Sequence, residues 1–112
     1  MTQKLNETVN FLKEKGFLKA EVGIVLGTGL GGLVKEIDVI KSIDYQEIPN
    51  FPLSTVESHS GKLIYGKLAN KYVIAMQGRF HYYEGYTLQE VTFPIRVMKL
   101  LGVKFLLLSN AA

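Results

Sequence analysis

No cysteine occurs among the 112 residues. Its absence excludes disulfides, thiolate zinc sites, iron–sulfur ligation and a cysteine nucleophile, and it fits a reducing compartment. Histidine is nearly as scarce, with only His59 and His81, so one chain cannot build an all-histidine metal cage and no metal site is expected. Arginine is limited to Arg79 and Arg96 against 11 lysines, for a net charge of +3. The lysines are scattered and form no run, so nucleic acid is not an expected partner. No stretch of about 18 apolar residues could span a bilayer. The N-terminal residues MTQKLNETVNFLKEKG are amphipathic and carry acids. They lack the apolar core of a secretory signal, so no membrane partner and a cytoplasmic location are expected.

What is present is ordinary globular material, 47% hydrophobic and 21% charged, with ample apolar surface to offset the entropy of ordering. Residues 2–15 read as a helix. Thr2 is a candidate cap, Leu5, Val9 and Leu12 form one stripe, and Gly16 is a stop. Glu21–Leu26 reads as a short buried strand running into the turn Gly27-Thr28-Gly29-Leu30-Gly31-Gly32 and a brief helical piece at Leu33–Ile37. Val39–Tyr45 is a strand, and Pro49 and Pro52 make 46–60 irregular. Lys62–Gly66 and Lys71–Gln77 are strands around a turn at Leu68-Ala69-Asn70, where Asn70 can take positive φ. Thr87 and Glu90 form a capping box for a helix to about Leu101, kinked at Pro94 and ended by Gly102. Val103–Leu108 reads as a buried strand. Tyr65, Tyr72, Phe93, Phe105, Met76 and Met98 are expected in the core.

These elements imply an α/β fold, a mixed sheet flanked by helices. The run at Phe105–Leu108 suits a strand with both faces covered, and only four residues follow it. The chain therefore reads as the incomplete N-terminal part of a single domain, with 1–20 a helix and linker and 21–112 the portion that carries the chemistry.

Four segments are candidates for that chemistry. The glycine turn follows a strand and can present backbone N–H groups to an anion. Gly27, Gly29 and Gly32 also satisfy G-x-G-x-x-G, but the following helical piece is too short and no acid ends a second strand at the spacing a dinucleotide site needs. Thr28 adds a hydroxyl suited to a phosphate oxygen. By spacing alone, a plain strand–helix turn needing glycine for positive φ is the favoured reading. In Gly78–Tyr86, Arg79, His81 and Tyr83 would share one face of an extended segment, with Glu84 beside them. Arginine, imidazole and phenol suit an anion next to a sugar. A hydrogen-bonded loop, with Arg79 paired to Glu84 and packed by Phe80 and Tyr82, is the reading that composition by itself favours. Third, His59 sits in a polar loop, where a lone histidine is ordinarily only a surface group. Fourth, Ser109–Ala112 follows a strand, where small residues permit close backbone approach, against the favoured reading of a plain loop.

Taken in order, the words GIVLGTGLGGL (23–33), IPNFPLSTV (48–56), HSGKLIYG (59–66), MQGRFHYYEGY (76–86), TFPIRVMKLLGV (92–103) and SNAA (109–112) resemble the trimeric class of purine nucleoside phosphorylases. MQGRFHYYEGY is the most specific of them. The resemblance implies phosphate ligands at Thr28, His59, Arg79, His81 and the backbone N–H of Ala111. Tyr83 and His81 would hold the ribose, and His81 with Glu84, which orients it, would be catalytic. It further implies phosphorolysis of purine nucleosides in purine salvage, with phosphate as co-substrate, no cofactor, and a homotrimeric complete protein. Ser58 and Leu53 depart from the pattern, standing where a glycine and an arginine are common. The family's base-reading residues would lie beyond residue 112, so 21–112 would be the phosphate and ribose half and the isolated chain inactive. Two alternatives stay open on the residues alone: a non-enzymatic anion- or partner-binding module, and half of a nicotinamide enzyme.

Overall fold

The computed structural model describes residues 2–26, 35–51, 61–77 and 88–108. Helix α1 (Thr2–Glu14) leads to β1 (Val22–Leu26) and, after the glycine turn, to β2 (Asp38–Asp44) and a 3-10 turn at Tyr45–Glu47. Then come β3 (Lys62–Leu68), β4 (Lys71–Gln77), helix α2 (Leu88–Leu100) and β5 (Phe105–Leu108). The strands form one mixed sheet in the order β2-β3-β4-β1-β5. β1 is parallel to both β4 and β5, and β2–β3–β4 is an antiparallel meander. The expected α/β class is observed.

Alternation along the strands sorts side chains onto two faces. Val25, Ile43, Leu63, Tyr65, Ile74 and Met76 share one core with Val9 and Leu12 of α1 and Phe93, Val97 and Met98 of α2. Ile24, Ile64, Val73 and Ala75 form a second cluster on the other face, with Ile37. Each fully buried aliphatic or aromatic side chain among these contributes about 1.5–3 kcal/mol. Gly23 is what lets α2 sit close to β1. A Cβ there would stand 3.0 Å from Met98 Sδ and 3.2 Å from Val103 Cγ1 and Leu106 Cδ1.

Both helices stop in the same way. Gly16 and Gly102 take positive φ, 99° and 105°. The Gly16 N–H donates to the Lys13 carbonyl and the Phe17 N–H to Leu12, and Gly102 and Val103 repeat the pattern with Lys99 and Met98. This double bond satisfies carbonyls that a helix end leaves open. The β3–β4 turn is tighter than the three residues expected, because β3 continues to Leu68. Ala69 and Asn70, at φ 50° and 68°, make a two-residue turn whose twist matches the strands.

Phe105 is a correction. It was expected in the core of a buried strand and is instead 64% exposed, with Leu107 at 56%. Among the described residues β5 is an outermost strand, paired with β1 alone, so strand composition here does not report burial. The other expected core residues are buried, Tyr72 only partly. Helix α2 runs through Pro94, which is itself buried. The helical piece before β2 ends at Glu36, one residue early. The side chains of Thr2 and Glu90, and all of Thr87, lie outside the described residues, and with them both proposed caps. No described helix is long and apolar enough to cross a membrane.

Candidate functional site

Thr28, His59, Arg79, His81, Tyr83, Glu84 and Ala111 all lie outside the described residues. Leu26, the last residue of β1, is in register with Gln77, the last of β4. Gln77 is in register with Lys62, the first residue of the antiparallel β3. Leu108 of β5 stands beside Val25.

One edge of the sheet therefore gathers four chain junctions. Thr28 follows Leu26 by two residues. Arg79 follows Gln77 by two, with His81, Tyr83 and Glu84 close behind in sequence. Ala111 follows Leu108 by three, and His59 precedes Gly61 by two. Three of these junctions leave the carboxyl ends of adjacent parallel strands. That is where open α/β sheets bind ligands, because diverging connections open a crevice there and backbone N–H groups point into it. The antiparallel β3 brings the fourth junction to the same edge by its amino end.

At this edge the structure adds two residues that the sequence had not marked. Gly61 is buried and lies against Tyr45. A Cβ at position 61 would run into Tyr45 Cε2 and stand 2.6 Å from its Cδ2 and 2.9 Å from the Gln77 carbonyl oxygen. The Tyr45 N–H donates to the Gly61 carbonyl at 3.0 Å. Burial pushes the Tyr45 phenol far above the usual tyrosine range, so it stays neutral. The ring packs on Phe51 at 5.5 Å between centroids, and Phe51 meets Phe93 of α2 edge-on at 6.2 Å. The only sequence signal was a glycine immediately before a strand, and its partner lies 16 positions upstream.

The segment before Gly61 is also tied down further back. Thr8 of α1 is fully buried, and its hydroxyl lies 2.7 Å from the Pro49 carbonyl and 2.9 Å from that of Lys4. Asn50, at φ 65°, donates its side-chain amide to the same Lys4 carbonyl at 3.3 Å. Residues 45–51 are thus fixed to both α1 and the sheet edge.

Among known proteins, the phosphorylase superfamily pattern matches residues 21–112. Purine nucleoside phosphorylase 1 of Geobacillus stearothermophilus is 54% identical over 108 residues, covering 96% of this chain and 39% of the relative. Among solved structures, a purine nucleoside phosphorylase from Schistosoma mansoni in complex with acetate superposes with a TM-score of 0.91 at 46% identity, over 98% of this chain and 40% of that one. A purine nucleoside phosphorylase in complex with ribose-1-phosphate gives 0.90 at 47% identity, over 98% and 40%. The chain spans about two fifths of the length of these relatives. The superfamily pattern begins at β1 and takes in every strand whose end feeds the gathered edge, and the chain belongs to the phosphorylase superfamily.

Proposed function

We propose that the protein carrying this chain is a purine nucleoside phosphorylase, and that residues 21–112 supply the phosphate and ribose half of its site. The observation that carries this reading is the meeting of four chain junctions at one sheet edge, each within three residues of a candidate ligand. Relatives of this name, one of them in complex with ribose-1-phosphate, support it.

In the proposed reaction the bond between the anomeric carbon and the purine nitrogen breaks, and its electron pair leaves with the base. A phosphate oxygen forms the new bond to that carbon, giving free purine and (deoxy)ribose 1-phosphate. Positive charge builds on the ribose as the bond stretches, and a phosphate dianion held against it both stabilises that charge and attacks. The work is positioning and electrostatics. Thr28, His59, Arg79 and the Ala111 N–H would bind phosphate. His81 would bridge phosphate and sugar with Glu84 orienting it, and Tyr83 would hold the ribose hydroxyls. No cofactor is invoked. The developing charge on the purine needs a partner that this chain's assigned residues do not supply, so the proposal places base recognition elsewhere in a complete, homotrimeric, cytoplasmic protein.

The test is phosphate-dependent release of hypoxanthine from inosine by the complete protein. Release that requires phosphate and yields ribose 1-phosphate is expected. No release, or release independent of phosphate, would leave the anion-binding module as the better reading.

A further inference from the structure

We infer that Gly61, pressed against Tyr45, is a positioning residue that sets the separation of the start of β3 from the end of β4, the two strand ends nearest in sequence to the proposed phosphate ligands His59 and Arg79. The inference rests on the function proposed above. It concerns no residue assigned to touch substrate.

Gly61 lies two residues after His59, and Gln77 two before Arg79. These two backbones meet at the last rung of the β3–β4 ladder, where Lys62 is in register with Gln77. The approach is closer than any side chain would permit, since a Cβ at 61 would stand 2.9 Å from the Gln77 carbonyl oxygen and closer still to the Tyr45 ring. Neither neighbour can give way locally. The carbonyl belongs to β4, which is paired on both sides. The Tyr45 ring is buried and backed by Phe51, and through it by Phe93 of α2. A larger residue at 61 must therefore push the start of β3 away from the end of β4. The displacement falls where the two candidate phosphate-ligand segments join the sheet.

Gly66 supplies a matched comparison on the same strand. A Cβ there would stand 2.5 Å from the Asp38 carbonyl oxygen and 2.7 Å from Ile37 Cγ2. Its constraint is of the same kind, but it pairs with Val73 near the far end of the ladder, away from the candidate site.

The experiment compares Gly61→Ala and Gly66→Ala in the complete protein, measuring phosphate KM, kcat at saturating phosphate with inosine, and Tm. Both substitutions should lower Tm. Only Gly61→Ala should raise phosphate KM, by about tenfold, the scale expected when one charge-assisted contact to phosphate is weakened. Its kcat at saturating phosphate should change far less. An unmoved phosphate KM in Gly61→Ala, or equal rises in both variants, would overturn the inference.

Should Gly61→Ala fail to fold, Tyr45→Leu keeps the glycine and a buried apolar side chain but removes the ring. It should raise phosphate KM in the same direction, and an unchanged value would again overturn the inference. If the wild-type protein shows no phosphorolysis, the functional reading fails separately. Calorimetric titration of the same variants with inorganic phosphate then decides the positioning role, with weakened binding in Gly61→Ala alone as the supporting result and equal affinities as the opposing one.

Discussion

The two ends of the sheet are built to different rules. At the end opposite the candidate site the connections are short and closed by backbone hydrogen bonds. Gly16 and Gly102 terminate the helices, and Ala69-Asn70 joins β3 to β4. Glu21 ties three strands together there. Its N–H donates to the Tyr72 carbonyl, and its own carbonyl accepts from Lys104 and Phe105. At the other end the strands run into segments dense in glycine, histidine, arginine and tyrosine, and the described contacts there hold junctions in place. Residues that bind must expose polar groups and leave space between segments, whereas residues that hold a sheet together can satisfy one another. The same five strands serve both demands by keeping them at opposite ends.

The comparison is put to its severest test by the 112-residue chain taken alone. It keeps the closed end intact, with the glycine stops and the hairpin, yet the proposal gives it no base-reading groups. It should turn over no inosine, and its apolar edge at Phe105 and Leu107 should draw it into oligomers. Phosphorolysis above background, with a sharp monomeric elution in size exclusion, would break the division.

Arg79→Ala in the complete protein comes next. Losing a charge-assisted hydrogen bond costs about 1.5–3 kcal/mol, so phosphate KM should rise roughly tenfold or more while Tm barely moves. Steady-state kinetics at varied phosphate, paired with a melting curve, reads both. An unchanged KM would remove Arg79 from the site.

Gly102→Ala probes the closed end. At φ 105° an alanine is strained by about 1–2 kcal/mol. Tm should fall with phosphate KM unaltered, and a raised KM would mean that the two ends are not independent. Asn70→Ala is the gentlest of the set. Alanine tolerates the left-handed turn less well than asparagine, so a loss below about 1 kcal/mol is expected, visible in denaturant midpoint and absent from the kinetics.

Much of the fold could be read from the chain because its signals are local. The stripe at Leu5, Val9 and Leu12, the glycine stops and the β-rich runs each act within a few residues, and each element stands close to where it was expected. Strand order was not legible. β1 pairs with β4 and β5, and nothing in the residues of VGIVL names a distant partner. The same limit hid the exposure of Phe105. Four apolar residues look alike in a central strand and at an edge, and only the neighbour decides. Ala69 at positive φ was missed because alanine carries no preference for it, the hairpin and Asn70 imposing it instead. For the candidate site, the residues alone left Thr28 and Arg79 open to structural readings, and it was the order of whole words that resembled a family. Gly61 and Tyr45 escaped because a steric contact between residues far apart in sequence leaves no spacing to recognise.

The placement of β1 also bears on how the chain folds. It is the earliest strand in sequence, yet it lies between β4 and β5, whose first paired residues come about 50 and 80 positions later. Closing such long loops costs entropy before any contact offsets it, which slows folding. The β3–β4 hairpin, joined by two residues, needs no such closure and is the natural early nucleus. During synthesis the apolar strand Val22–Leu26 emerges first and must wait for two partners made much later. While it stands unpaired it presents an apolar strand with open backbone groups, the kind of surface that favours misassociation.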